Sequence, residues 1–257
     1  MNFNRKQIFH QEEDFQLILG DSLTILKQIP DNSISVIITD PPYFLSNNGI
    51  TCKSGKMVSV NKGKWDMKNS LVEIDEFNSI WLKESQRILK ENGTIWVFGT
   101  SHNIFSVGYL MKHIGFKMLN TITWVKKSPP PNLSCRFFTH STEMLIWSKK
   151  NEKSKHYFNY QLMKEINNGK QMKDVWEIGR TKKIEQKFGK HPTQKPEEII
   201  ERMVLSSSNE DDLILDLFCG SGTTGVVSLK NKRKFIGIDE NENYLDLCKK
   251  RIQDVVR

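Results

Sequence analysis

Residues 213–239 constrain this chain more than any other stretch. Leu213–Leu217 is a short apolar run that leads into Phe218-Cys219-Gly220-Ser221-Gly222-Thr223-Thr224-Gly225, then a helical pattern, then Lys234–Ile238, closed by Asp239. Strand, glycine loop, helix, strand and terminal acid form a nucleotide-binding unit. The glycines let the backbone turn tightly and approach a ligand, and an acid at the tip of the second strand accepts both hydroxyls of a ribose. An adenosine cofactor is therefore expected here. Gly220, Gly222 and Gly225 also satisfy the G-x-G-x-x-G spacing, so the loop alone admits a nicotinamide or flavin dinucleotide equally well.

The rest of the chain extends that unit. Phe15–Leu19, Ile34–Thr39, Thr94–Phe98, Met118–Val125 and Glu143–Trp147 are further short apolar runs bounded by turn residues, which makes seven candidate strands in all. Between most of them the apolar residues recur at helical spacing, as in Ile74, Phe77, Trp81 and Ile88, or Leu245, Cys248, Ile252 and Val255. Alternation of strand and helix predicts an α/β fold, a doubly wound, mostly parallel sheet covered on both faces. Met118–Val125 and Glu143–Trp147 have no helix between them and predict an antiparallel hairpin, hence one reversed strand. Two segments fit no sheet, residues 44–70 and residues 149–192. With 257 residues and 37% hydrophobic composition, the chain suits one domain carrying an insertion. The expected division is 1–148, the basic insertion 149–192, and 193–257.

Asp40-Pro41-Pro42-Tyr43 closes the strand Ile34–Thr39 with a carboxylate, two prolines that stiffen the backbone, and an aromatic ring. Such a turn is equipped to hold a planar amine. Asp40 and the Pro41 carbonyl each take one N–H while Tyr43 lies against the ring face. The charge balance of +8 is concentrated, since residues 149–195 hold 13 Lys and Arg against five Asp and Glu. A surface of that kind suits a polyanionic partner. Cysteines at 52, 135, 219 and 248 make no CxxC pair, so neither a metal site nor a disulfide framework is expected. No apolar run approaches the about 20 residues needed to cross a bilayer, and the first fourteen residues lack the apolar core of a secretory signal. A cytoplasmic location is expected.

With both motifs in hand, the chain resembles the S-adenosylmethionine-dependent DNA amino-methyltransferases, in the permuted group whose catalytic tetrapeptide precedes the cofactor loop. The likeness extends from about Asp14 to Ile252. In DPPYFLSN, PNLSCRFFTHSTE and GKQMKDVW it looks most like the adenine-N6 methyltransferases that accompany GATC restriction systems, some of which also accept single-stranded DNA. The resemblance implies a Rossmann-like methyltransferase fold, circularly permuted, with the insertion as target-recognition region. It implies Asp40, Pro41, Pro42 and Tyr43 as catalytic residues, DNA as partner, and a monomer or homodimer. It assigns the cofactor to Asp21, Lys195, Asp216, Phe218, Gly220, Ser221, Gly222, Thr223, Thr224 and Asp239, with Lys195 of His191-Pro192-Thr193-Gln194-Lys195-Pro196 facing the methionine carboxylate. Asp21 either takes the cofactor's adenine amino group or only caps a helix from Ser22. Tyr43, Phe44 and Trp124 are candidate walls of the base pocket, although core packing competes for the last two. The lysines of residues 44–70 and of the insertion are expected to hold phosphates. Relatives often carry Pro where this chain has Leu217, which implies a local packing difference. A cytosine-N4 methyltransferase, on the glycine loop alone a nicotinamide-dependent dehydrogenase, and a non-catalytic DNA-binding module that keeps the fold, which the presence of Asp40, Tyr43 and Asp239 disfavours, are the competing readings. The permuted order makes a geometric demand: Leu213–Leu217 and Ile34–Thr39 must be neighbours in the sheet, so that the glycine loop and Asp40 meet at the switch point.

Overall fold

The computed structural model describes residues 1, 3–44, 50–53, 56–59 and 70–256. In chain order these form β1 (Ile8–Gln11), β2 (Phe15–Leu19), α1 (Ser22–Leu26), β3 (Ile34–Thr39), β4 (Ile50–Lys53), β5 (Lys56–Ser59), α2 (Leu71–Ile88), β6 (Leu89–Gly99) and α3 (Ile104–Ile114). There follow β7 (Lys117–Lys126), β8 (Thr142–Lys149), α4 (Tyr160–Ile166), β9 (Val175–Ile178), a 3-10 turn at Lys183–Gln186, α5 (Glu197–Ser207), β10 (Leu213–Asp216), α6 (Thr223–Lys230), β11 (Lys234–Asp239) and α7 (Glu242–Val256).

Among the described residues, nine strands build one sheet in the order β1-β2-β11-β10-β3-β6-β8-β7-β9. Strands β2, β11, β10, β3 and β6 run parallel, and β8 is reversed between β6 and β7. The seven expected strands are all present, and β10 pairs with β3 through Ile214↔Val36 and Leu215↔Ile37, as the permuted order demands. All six residues of β3 are buried, the signature of a parallel strand covered on both faces. Its residues alternate between layers. Ile37 joins a core with Ile25, Trp81, Leu82 and Val107 of α1, α2 and α3. Val36 and Ile38 face Ile199, Ile200, Met203 and Val227 of α5 and α6. Leu17 and Phe235 complete that second layer against Leu245 and Ile252 of α7. Helix α2 starts at a capping box in which Ser70 Oγ accepts from Glu73 N and Glu73 Oε2 accepts from Ser70 N, both at 3.2 Å.

Two expectations need correction. The sheet has nine strands rather than seven: β1 adds antiparallel to β2, and β9 adds parallel to β7 from inside the supposedly sheet-free insertion. Both strands have four residues, and β9 alternates exposed and buried, so neither forms a continuous apolar run. Likewise β4 and β5 pair as a separate hairpin within residues 44–70. Residues 45–49, 54–55 and 60–69 lie outside the described residues, and so do the side chains of all five lysines expected there to hold phosphates.

Candidate active site

The carboxyl ends of β2, β11, β10, β3 and β6 surround a cavity of about 320 Å³. Its floor is the glycine loop. Asp216 ends β10 and is buried; Oδ1 accepts from Phe218 N at 3.2 Å and Oδ2 from the Thr224 hydroxyl at 2.7 Å. Burial pushes its carboxyl up to about 7, against the pull of those two hydrogen bonds. Gly220 and Gly222 adopt φ of +48° and +73°, the left-handed region that side chains disfavour. A Cβ on Gly222 would stand 2.1 Å from Cys248 Sγ, so α7 packs directly on the loop backbone. Gly220 N donates to Asp239 Oδ2 at 2.8 Å, and Asn241 N donates to Oδ1 at 2.9 Å. Burial raises Asp239 to about 6, with the backbone donors opposing.

Asp21 follows β2 and does two things at once. Its carboxylate caps α1, accepting from Thr24 N at 3.0 Å, and it stands in the cavity wall. The neighbouring Ser22 hydroxyl donates to the Leu217 carbonyl, and Leu217 itself is fully buried.

Asp40 enters from the end of β3 with both carboxylate oxygens engaged. The Tyr43 hydroxyl donates to Oδ1 at 2.5 Å, and Lys195 Nζ donates to Oδ2 at 2.5 Å. Lys195 also lies 3.6 Å from Glu143 Oε2, whose other oxygen accepts from Lys126 Nζ at 2.5 Å. The ammonium sits over the rings of Phe98 and Tyr43, at 5.0 and 5.6 Å from their centroids. Burial alone would lower Lys195; Asp40 and Glu143 outweigh it and hold the ammonium above its ordinary value. Glu143 is the mirror case, raised by burial and lowered more by Lys195 and Lys126. Burial, then Asp40, pushes the Tyr43 hydroxyl well up, so it stays a donor.

The profile of the N6/N4 DNA methylase family matches residues 34–250. The chain is a DNA methylase of that family. The type II methyltransferase M2.LlaDCHI of Lactococcus lactis subsp. cremoris is 54% identical over 245 residues, covering 95% of this chain and 91% of that one. M2.DpnII of Streptococcus pneumoniae is 51% identical over 246 residues, covering 95% and 92%. Among solved structures, the M1.HpyAVI complex with SAM superposes with TM-score 0.66 at 25% identity, covering 93% of this chain and 99% of that one. The PvuII cytosine-N4-specific methyltransferase shares the fold, with TM-score 0.77 at 20% identity over 97% and 93%. Membership of this family sets the dehydrogenase reading aside.

The methylase gathers most of the expected site into one place. Asp21, Asp40, Pro42, Phe44, Lys195, Asp216, Phe218, Gly220, Ser221, Thr223, Thr224 and Asp239 all line the cavity. Pro41, Tyr43 and Gly222 are neighbours of lining residues without lining it themselves, and Pro41 and Pro42 are both buried. Phe44 has φ +54°, and its ring meets Phe77 edge-on at 5.5 Å. Lys195, expected to face a methionine carboxylate, donates to the Asp40 carboxylate from within the cavity wall. Trp124 is core: its indole N–H donates to the Ile178 carbonyl at 2.9 Å, tying β7 to β9, and it does not line the cavity.

Sequence reasoning passed over several residues of the methylase site. Arg251 of α7 reaches across to donate from Nη1 to the Ser221 carbonyl at 2.7 Å and to Thr223 Oγ1 at 3.0 Å, bracing the glycine loop. The ring of His191 packs edge-on against Tyr244 at 4.3 Å, and both line the cavity. His191 opens the very segment that holds Lys195, so proximity to a motif was its one available signal. Glu143 and Arg251 gave none, because each lies inside an ordinary strand or helix pattern.

Proposed function

We propose that this DNA methyltransferase transfers the methyl group of S-adenosylmethionine to the N6 of adenine in DNA, at GATC, within a restriction-modification system. The observation that carries the reading is the shared cavity: Asp40 on one side, Gly220 and Asp239 on the other. The cavity wall suits an adenosyl sulfonium. Asp239 and Asp21 offer carboxylate oxygens to a ribose diol and an adenine amino group. Gly220 leaves the backbone bare where a nucleoside would approach.

S-adenosylmethionine, when bound, supplies an already activated methyl group. What the protein must add is a better nucleophile. An exocyclic amine delocalises its lone pair into the ring, and hydrogen bonds from its two N–H groups to Asp40 and the Pro41 carbonyl draw the nitrogen towards pyramidal geometry and spread the charge that grows on it. The prolines fix the direction of those acceptors, and the Tyr43 hydroxyl fixes the plane of Asp40. The base must leave the duplex, at a cost of a few kcal/mol, which stacking beside Tyr43 and Phe44 offsets in part.

Phosphates meet the basic surface that follows β9, which we assign to target recognition together with the preceding part of residues 149–192. The enzyme acts in the cytoplasm as a monomer or homodimer, on duplex and on single-stranded DNA. Among the described residues no helix is long and apolar enough to cross a membrane. Digestion of DNA methylated with labelled S-adenosylmethionine tests the reading: N6-methyladenine confined to GATC is expected, and N4-methylcytosine would overturn it. Asp40→Ala is expected to abolish turnover while leaving cofactor affinity within a few-fold of the parent.

A further inference from the structure

Four charged side chains of alternating sign run inward from the mouth of the β7–β8 hairpin: Lys126, Glu143, Lys195 and Asp40. The inner three are largely shielded, with side-chain exposures of 13%, 10% and 20% for Glu143, Lys195 and Asp40. Lys195 is held tightly by Asp40, whereas Glu143 Oε2, at 3.6 Å, is buried and receives no hydrogen bond among the described residues. A buried acceptor left unsatisfied next to a cation that could reach it is a second berth.

We propose that Glu143 is a positioning residue for methyl transfer, with its Oε2 as the alternative partner to which Lys195 moves when Asp40 turns to the substrate amine. This rests on the assignment of Asp40 as the amine's acceptor. Shortening 3.6 Å to an ordinary N–H···O distance of about 2.9 Å is a small side-chain motion. It answers two problems of charge. Transfer breaks the sulfur–carbon bond and forms the nitrogen–carbon bond, leaving a neutral thioether and a positive nitrogen. That nitrogen then gives a proton to the Asp40 carboxylate, which passes it to water. A cation fixed on Asp40 opposes that proton's arrival. Once Asp40 is neutral, Lys195 is a buried ammonium stripped of its nearest counter-charge, a costly state unless a second carboxylate is in reach.

Glu143→Gln keeps the shape and the hydrogen bond from Lys126 but cannot neutralise Lys195. The groups around position 143 are Lys126 from β7, Lys195 from the segment before α5, and behind it Asp40 and Tyr43 from the end of β3. The expected result is a single-turnover methylation rate lowered about tenfold or more, with a displaced pH–rate profile. The KM for DNA and the Kd for S-adenosylmethionine should change little, and Glu143→Asp should recover part of the rate. A parent-like rate and profile would overturn the proposal, as would a defect confined to cofactor affinity. Since a buried substitution can prevent folding, a structure of the unaltered protein with DNA and the inert analogue sinefungin provides a second test. Lys195 Nζ within hydrogen-bond distance of Glu143 Oε2 is expected there; Lys195 still bonded to Asp40 and out of reach of Glu143 would overturn the proposal. Methylation of cytosine in place of adenine would correct the target base above and leave this result standing, because any exocyclic amine makes the same demand on Asp40.

Discussion

Asp216 and Asp239 lie at the tips of adjacent strands, and desolvation raises them to about 7 and about 6. The sign of the consequence follows from linkage. A carboxyl whose folded value exceeds its unfolded value of about 3.9 favours folding when protonated, and that contribution fades as pH rises through the folded value. Without cofactor, the difference in Tm between the parent and Asp216→Asn should therefore change between pH 5 and pH 8, with the parent losing ground at the alkaline end. In the role proposed for Asp239, cofactor affinity should run the other way, weakening as pH falls through about 6, because a carboxylate accepts ribose hydroxyls better than a carboxylic acid does. Isothermal titration from pH 8 to pH 5 checks this, and a flat affinity would argue against the role of Asp239. Gly222→Ala must fit a methyl group 2.1 Å from Cys248 Sγ at φ +73°. Overpacking plus strain predicts a loss of about 2–4 kcal/mol in urea unfolding. The placing of these acids at strand tips and of the glycines in the turn between was legible from the strand–loop–helix–strand pattern. The ion pair of Lys195 was not legible, since Asp40 is 155 positions away and only the folded sheet determines which carboxylate a flexible lysine reaches.

Among the elements, β9 changes the reading of the basic insertion most. It runs parallel to β7, so the chain enters it at the amino edge of the sheet and leaves it at the carboxyl edge, where Asp40 lies. The exit is tied to the cavity by the Thr181 hydroxyl, which donates to the Gln194 carbonyl at 2.8 Å. Lys170 and Lys173 precede the strand, Arg180, Lys182 and Lys183 follow it, and all five are exposed. Replacing Arg180, Lys182 and Lys183 with Gln should weaken DNA binding and reduce the slope of log K against log salt by about 0.9 for each phosphate no longer neutralised. The same exchange at Lys170 and Lys173 should do much less. Nothing in the sequence separates these two groups, because VWEI is too short and too charged to announce a strand. Trp124 stayed open for the complementary reason: an aromatic on a hairpin strand suits both a base pocket and a core, and in the fold it is buried and bonded to the Ile178 carbonyl. Trp124→Phe is expected to cost stability by about 1 kcal/mol for the missing hydrogen bond while leaving cofactor affinity unchanged.

At the scale of the whole molecule, the site is a seam between stretches far apart in the chain. Asp40 and Asp216 are separated by 176 positions and joined through the β3–β10 pair. The apolar runs located the strands, and the resemblance to the permuted group supplied the order that makes these two neighbours. The short edge strands were beyond the same reasoning. A ligand held across such a seam should stabilise both halves together. Cofactor at about 100 times its Kd should add about 2.7 kcal/mol, and Asp40→Ala should retain most of the resulting rise in Tm. The same seam bears on biosynthesis. When the ribosome has completed β3 and β6, the edge of β3 reserved for β10 has no partner, and six buried residues of that strand await a layer of helices still to be translated. Chaperone engagement should therefore peak in this interval and lapse once β10 emerges, so that a nascent chain exposes its most aggregation-prone edge before it can bind any methyl donor.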